Sequence, residues 1–195
     1  MERGFLKDLL RLSNTVFSFK ELALRWPKAS LEIIKSRIHY YVKNGDLYQI
    51  RRGLYAKNKD YDRFEFATKL YTPAYISFET VLLSAGMIFQ YYSQTFVATY
   101  QSKSLVCDGR SYVFRRIKSS IIVNTVGIER KEHYWIASPE RAYLDMLYLH
   151  KDYYFDNLRP LDWNKVAEIL PIYQNKRMER VVAEQHKSFQ ESMLE

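Results

Sequence analysis

The 195-residue sequence contains a single cysteine, Cys107, which excludes an intramolecular disulfide and a zinc site built on several thiolates. It has only six glycines and five prolines, and no stretch is dominated by Gly, Ser, Gln or Pro. Long flexible linkers and low-complexity tails are therefore not expected. No apolar run approaches the ~18 residues that suggest a membrane span. The opening "MERGFLKDLLRLSN" lacks the long apolar core and cleavage site of a secretory signal, so a reducing, cytoplasmic setting is expected. The histidines at positions 39, 133, 150 and 186 are scattered. There is no His-x-x-x-His or Cys-x-x-Cys spacing, no Gly-rich phosphate loop and no Gly-x-Ser-x-Gly elbow. The expectation is a non-enzymatic protein with no metal and no cofactor.

What the sequence does have is a localised positive charge. Residues 1–59 hold 13 lysines and arginines against five acids, a surplus of eight that equals the whole net charge of +8. The remaining residues are balanced. Cations clustered on a small fold gain free energy by displacing counterions from phosphates, so a polyanion is the expected partner of this first third. A merely solvated basic face is the plainer alternative.

The periodicity of that third predicts three helices. In "ERGFLKDLLRL", Phe5, Leu9 and Leu12 share one helical stripe. "SFKELALRW" opens with Ser18 and Glu21 at capping-box spacing, and Pro27 ends this second helix. Ser30 is the N-cap of a third helix over residues 31–43, stopped by Asn44-Gly45. Leu31, Ile34, Ile38 and Tyr41 form its buried stripe, widened by Ile33 and Val42. Its other face carries Glu32, Ser36, His39 and Lys43, flanked by Lys35, Arg37 and Tyr40. "DLYQIRRGLYA" then reads as a two-stranded hairpin with Arg51 and Arg52 at its tip, Gly53 giving backbone freedom, and Leu47, Ile50 and Leu54 packing back.

Together these elements predict a winged helix-turn-helix domain over residues 1–59, with double-stranded DNA as its partner. The candidate DNA-binding residues are Lys28, Ser30, Lys35, Ser36, Arg37, His39, Tyr40, Lys43, Arg51 and Arg52. Those on the third helix would read or track the major groove, and the two arginines would grip the backbone or a narrow minor groove. A winged helix reused to dock an acidic protein is the alternative.

Residues 60–195 predict a second, α+β domain with a small, mostly antiparallel sheet. "YDRFEFATKLY" reads as a helix, and "YISFETVLLSAG" as another with Ser77 as N-cap. "TFVATY", "KSLVC", "RSYVFRRI", "SIIVN" and "HYWIA" read as strands, with a hairpin turn at Asp108-Gly109. Ser138-Pro139-Glu140 starts a further helix, followed by two closing ones. Arg110, Arg115, Arg116 and Lys118 gather in a patch for a protein or nucleic-acid partner, or else serve as ordinary charges guarding a strand. Glu140 and Asp145 form a conceivable acid–base pair, with helix-end electrostatics and a surface ion pair as the plainer reading. Most of the 17 tyrosines are expected in packing, leaving Tyr40 and Tyr55 for DNA.

The order and spacing of "GDLYQIRRGLYA", "KLYTPAYISFETVLLSAGMIFQ" and "WIASPERAYLDMLYL" resemble those of the AbiEi-type antitoxins of type IV toxin-antitoxin systems. The resemblance covers most of the chain but carries no motif after Tyr148. It implies a winged helix that binds inverted repeats in the promoter of its own operon and represses it. It also implies a larger domain serving antitoxicity against a nucleotidyltransferase-like toxin.

Overall fold

The computed structural model describes residues 3–192; Glu2, placed by periodicity in the first helix, lies outside them. The chain is a mixed α+β protein in two compact units, residues 1–70 and 71–195. Among the described residues no helix is long and apolar enough to cross a membrane.

The first unit contains α1 (Arg3–Leu10), β1 (Val16–Ser18), α2 (Phe19–Arg25), α3 (Leu31–Lys43), β2 (Tyr48–Arg51), β3 (Leu54–Ala56) and α4 (Arg63–Leu70). Ser18 and Glu21 close the expected capping box at the start of α2, and the Ser30 hydroxyl accepts from the Ile33 amide at α3. Each such cap stabilises its helix by about 1 kcal/mol. Leu9, Phe17, Leu22, Ile34, Ile38, Tyr41 and Leu47 form one apolar cluster. Ile50 and Leu54 of the hairpin are also buried.

Two residues assigned to the buried stripe of α3 are on the surface: Leu31 is 62% and Ile33 47% exposed. Ile33 lies about 100° around the helix from Ile34, and Leu31 sits in the first turn, at the end of the packed stripe. The hairpin gains a third strand, giving the antiparallel order β1-β3-β2. At three residues β1 is too short to show alternation in sequence.

That strand is held by α4. Glu65, fully buried, accepts from the Thr15 and Val16 amides at 2.8 and 3.1 Å, from Asn14 and from the Thr15 hydroxyl. Lys69 bridges Glu65 and Glu21, both at 3.0 Å, and donates to the Val16 carbonyl. Burial raises the Glu65 pKa, but these hydrogen bonds and Lys69 outweigh it and leave the carboxyl below its ordinary value. The first unit consequently runs to Leu70, whereas the charge distribution set the boundary at residue 59.

The second unit contains β4 (Ala74–Ile76), α5 (Glu79–Ser84), β5 (Thr95–Thr99), β6 (Lys103–Cys107), β7 (Arg110–Arg116), α6 (Ser119–Ile122), β8 (Ile128–Arg130) and β9 (Trp135–Ala137). It ends with α7 (Pro139–Leu149), α8 (Trp163–Ile169), a 3₁₀ turn (Leu170–Tyr173) and α9 (Lys176–Ser192). The expected small antiparallel sheet is instead six-stranded and mixed, in the order β6-β7-β5-β4-β9-β8. After the β6–β7 hairpin, β7 rather than β6 pairs with β5, and it does so in parallel; β4 and β9 are also parallel.

Two local readings also change. "SIIVN" enters α6, where Ile121 and Ile122 are both buried, so packing overrides the β-propensity of the run. The segment beginning at Tyr75 is strand β4 before it is helix, and α5 starts only at Glu79, after Phe78 with a positive φ (55°), so Ser77 is not its N-cap. Ser138 caps α7 as expected, and Pro139 occupies its first position. Every residue from Glu140 to Leu147 is buried, which makes α7 the central helix of the unit.

Candidate nucleic-acid interface

The exposed side of α3 carries the polar set predicted for it. Glu32, Lys35, Ser36, His39 and Lys43 are all exposed, and at about 100° per residue they span a single face opposite Ile34, Ile38 and Tyr41. Tyr40, at the edge of that face, is 59% exposed. Lys28 and Ser30 are exposed before the helix, although the Ser30 hydroxyl is already engaged as N-cap. Four residues separate Lys43 from β2, so the hairpin follows the helix directly.

Arg51 ends β2 and Arg52 occupies the turn; both are exposed. The turn needs a positive φ at Gly53 (+81°), and the Gly53 carbonyl accepts from the Phe19 amide at 2.9 Å, tying the tip to the start of α2. Among the described residues no ion pair engages Lys28, Lys35, Lys43, Arg51 or Arg52. Their charge is therefore not neutralised within the unit.

Two other residues do not join this set. Arg37 is half-buried with its guanidinium 4.2 Å over the Phe5 ring, which in turn lies 4.3 Å from Trp26. Packing on the flank of α1 diverts it from the polar face. Tyr55 packs against the core cluster, and burial raises its pKa.

The proposed basic patch of the second unit is also reduced. Arg115 is not a surface charge: it makes a bidentate pair with the buried Glu79 at 2.6 and 2.8 Å and stacks over Phe78 and Phe96. Arg110 is half-buried, and only Arg116 and Lys118 are exposed. Near the Arg115–Glu79 pair, His150 has its pKa lowered by burial and by Arg115, with Glu79 opposing. The Tyr153 hydroxyl is pushed up to about 12, by burial first and then by Glu79.

A polar cluster that sequence reasoning missed lies beneath α7. Arg141 and Asp145, one turn apart, are both fully buried, which overturns the surface ion pair expected there. The guanidinium donates through Nε to Asp145 (3.3 Å), through Nη1 to the carbonyls of Asn124 and Val126, and through Nη2 to the Tyr75 hydroxyl and the Ile121 carbonyl. All of its donor nitrogens are thus occupied. Asp145 accepts in addition from Tyr75 (2.9 Å), Ser77 (2.8 Å) and Tyr173 (2.6 Å). Burial raises the Asp145 pKa, while Arg141 and the three hydroxyls pull it back. Glu140 meets none of these groups; it accepts from the Asp162 amide at 3.3 Å. The two carboxylates therefore form no exposed acid–base pair. The only sequence sign of the cluster was the four-residue spacing of Arg141 and Asp145 on one helix.

Comparison with known proteins adds little to this geometry. No family model matches the sequence, and no curated protein does. Among solved structures, the crystal structure of RV2827C protein from Mycobacterium tuberculosis is similar at 13% identity, with a TM-score of 0.46 over 91% of this chain and 74% of that one.

Proposed function

We propose that residues 1–70 form a winged helix-turn-helix that binds double-stranded DNA. In this reading α3 lies in the major groove and the β2–β3 hairpin is the wing. The observation that carries it is the unneutralised charge: Lys35 and Lys43 on one exposed helix face, then Arg51 and Arg52 at an exposed tip. Phosphates favour such unpaired cations because binding releases condensed counterions. Ser36 and His39, between the lysines, are the side chains placed to meet base edges.

On the resemblance of the three sequence blocks to AbiEi-type antitoxins, the protein represses its own operon and counteracts a nucleotidyltransferase-like toxin. In that scheme the "SPERAYLD" block does not touch the partner. Ser138, Glu140, Arg141 and Asp145 spend their side-chain polar groups inside the second unit.

The experiment is a salt titration of duplex binding. Replacing Arg51 and Arg52 together by alanine weakens binding to all sequences and makes the logarithmic salt slope shallower by up to ~1.8, at ~0.9 for each phosphate contact. An unchanged slope and affinity in a folded double variant would remove the wing assignment. Co-expression with the toxin gene tests the antitoxin role by growth rescue.

A further inference from the structure

Beside its polar face, α3 borders a groove of about 970 Å³ shared with α1. That volume is at the upper end of the range that holds small organic ligands, about 300–1,000 Å³. The floor is apolar, made by Leu6, Leu10, Tyr40 and Tyr41. Leu10 remains 46% and Tyr40 59% exposed, so two large apolar bodies are left facing water. Among the described residues the rim has one sign of charge: Lys7, Arg11 and Arg37 line it, and no carboxylate does.

Arg37, at the edge of the groove, keeps its guanidinium over Phe5 with Nη1 buried, so it adds positive charge beside the groove rather than a contact within it. A phosphate backbone alone would leave the apolar floor uncovered.

We propose that this groove binds an amphipathic carboxylate, with its hydrocarbon body on Leu6, Leu10 and Tyr40 and its anionic head at Lys7 and Arg11. Ser36 and Tyr40 line the groove and also belong to the candidate DNA face. An occupant therefore competes with the duplex, a consequence that rests on the DNA-binding reading above. The ligand site itself does not.

The test uses the full chain and dodecanoate below its aggregation concentration, with dodecyltrimethylammonium as a probe of equal tail and opposite charge. Calorimetry without DNA is expected to show saturable one-to-one binding of dodecanoate. Binding should be at least about tenfold weaker for the cationic probe, for Leu10→Gln and for Arg11→Gln. Both side chains are exposed, and circular dichroism confirms that each variant is folded. In a second arm dodecanoate releases duplex from the native protein but not from Leu10→Gln. The ligand site is overturned by absence of saturable binding, by equal binding of the two probes, or by undiminished binding to both variants. A dimer in gel filtration that Leu10→Gln dissolves also overturns it, since a second copy then fills the groove. If calorimetry behaves as expected while no duplex binds, the DNA reading fails and the ligand site stands.

Discussion

Replacing Asp145 by alanine perturbs the second unit at its most constrained point. The carboxylate accepts three hydroxyls and one guanidinium N–H, and neither Asp145 nor Arg141 has any solvent exposure. Without it, Arg141 stays charged and buried, held only by three carbonyls and the Tyr75 hydroxyl. Removing one member of a buried ion pair costs about 3–5 kcal/mol, because the partner's desolvation is no longer offset. Ser77→Ala, which deletes a single hydrogen bond to a charged group, should cost about 1.5–3 kcal/mol. Urea unfolding followed by circular dichroism and tryptophan fluorescence separates the two. With a slope of about 1–3 kcal/mol per molar urea, Asp145→Ala moves the midpoint down by about 1 M or more. The double variant Arg141→Met/Asp145→Leu should be more stable than Asp145→Ala alone, since no unpaired charge remains. A loss below about 1 kcal/mol for Asp145→Ala would refute this account and mean that water or another anion reaches the site.

Arg141→Lys keeps the charge but replaces five donors by three. It should lose about 1–3 kcal/mol, read from the same urea transition, for each carbonyl among Ile121, Asn124 and Val126 left unpaired. Gly127 has φ +72°, and an added Cβ would lie 2.6 Å from Ile169 Cδ1 and 3.0 Å from Arg141 Cβ. Gly127→Ala should therefore destabilise by about 1–3 kcal/mol, seen as a lower Tm. Glu65 has a folded pKa below the ordinary glutamate value of 4.5. Its contribution is fully present above that value and is lost as pH falls through the depressed one, so stability measured from pH 7 downward should drop below about pH 4.5. Glu65→Gln should be less stable at pH 7 and show a flatter acid limb.

Local signals in this chain were legible wherever a residue's task was local. The Ser18–Glu21 capping box, the Ser30 and Ser138 caps, Pro139, and the turns at Gly53 and Asp108-Gly109 depend on groups a few residues apart. The exposed set on α3 followed from period alone. Arg37 and Arg115 were misread because an arginine stem reaches several ångströms, and the aromatic or carboxylate it finds is set by another element. Neither Phe5 nor Glu79 is close to its arginine in sequence.

The sequence by itself determined an α+β chain, a basic first third, the helix caps at Ser18, Ser30 and Ser138, and the polar side of α3 that faces water. Each of these is settled by neighbours within about a turn or by a count of charges. Tertiary structure alone decided that β7 rather than β6 joins β5, that α4 packs with the first unit, and that Arg141 and Asp145 are core. Strand partners and buried polar groups are selected by contacts between distant segments: Asp145 becomes tolerable inside only when Tyr75 and Ser77, from one distant segment, and Tyr173, from another, arrive beside it.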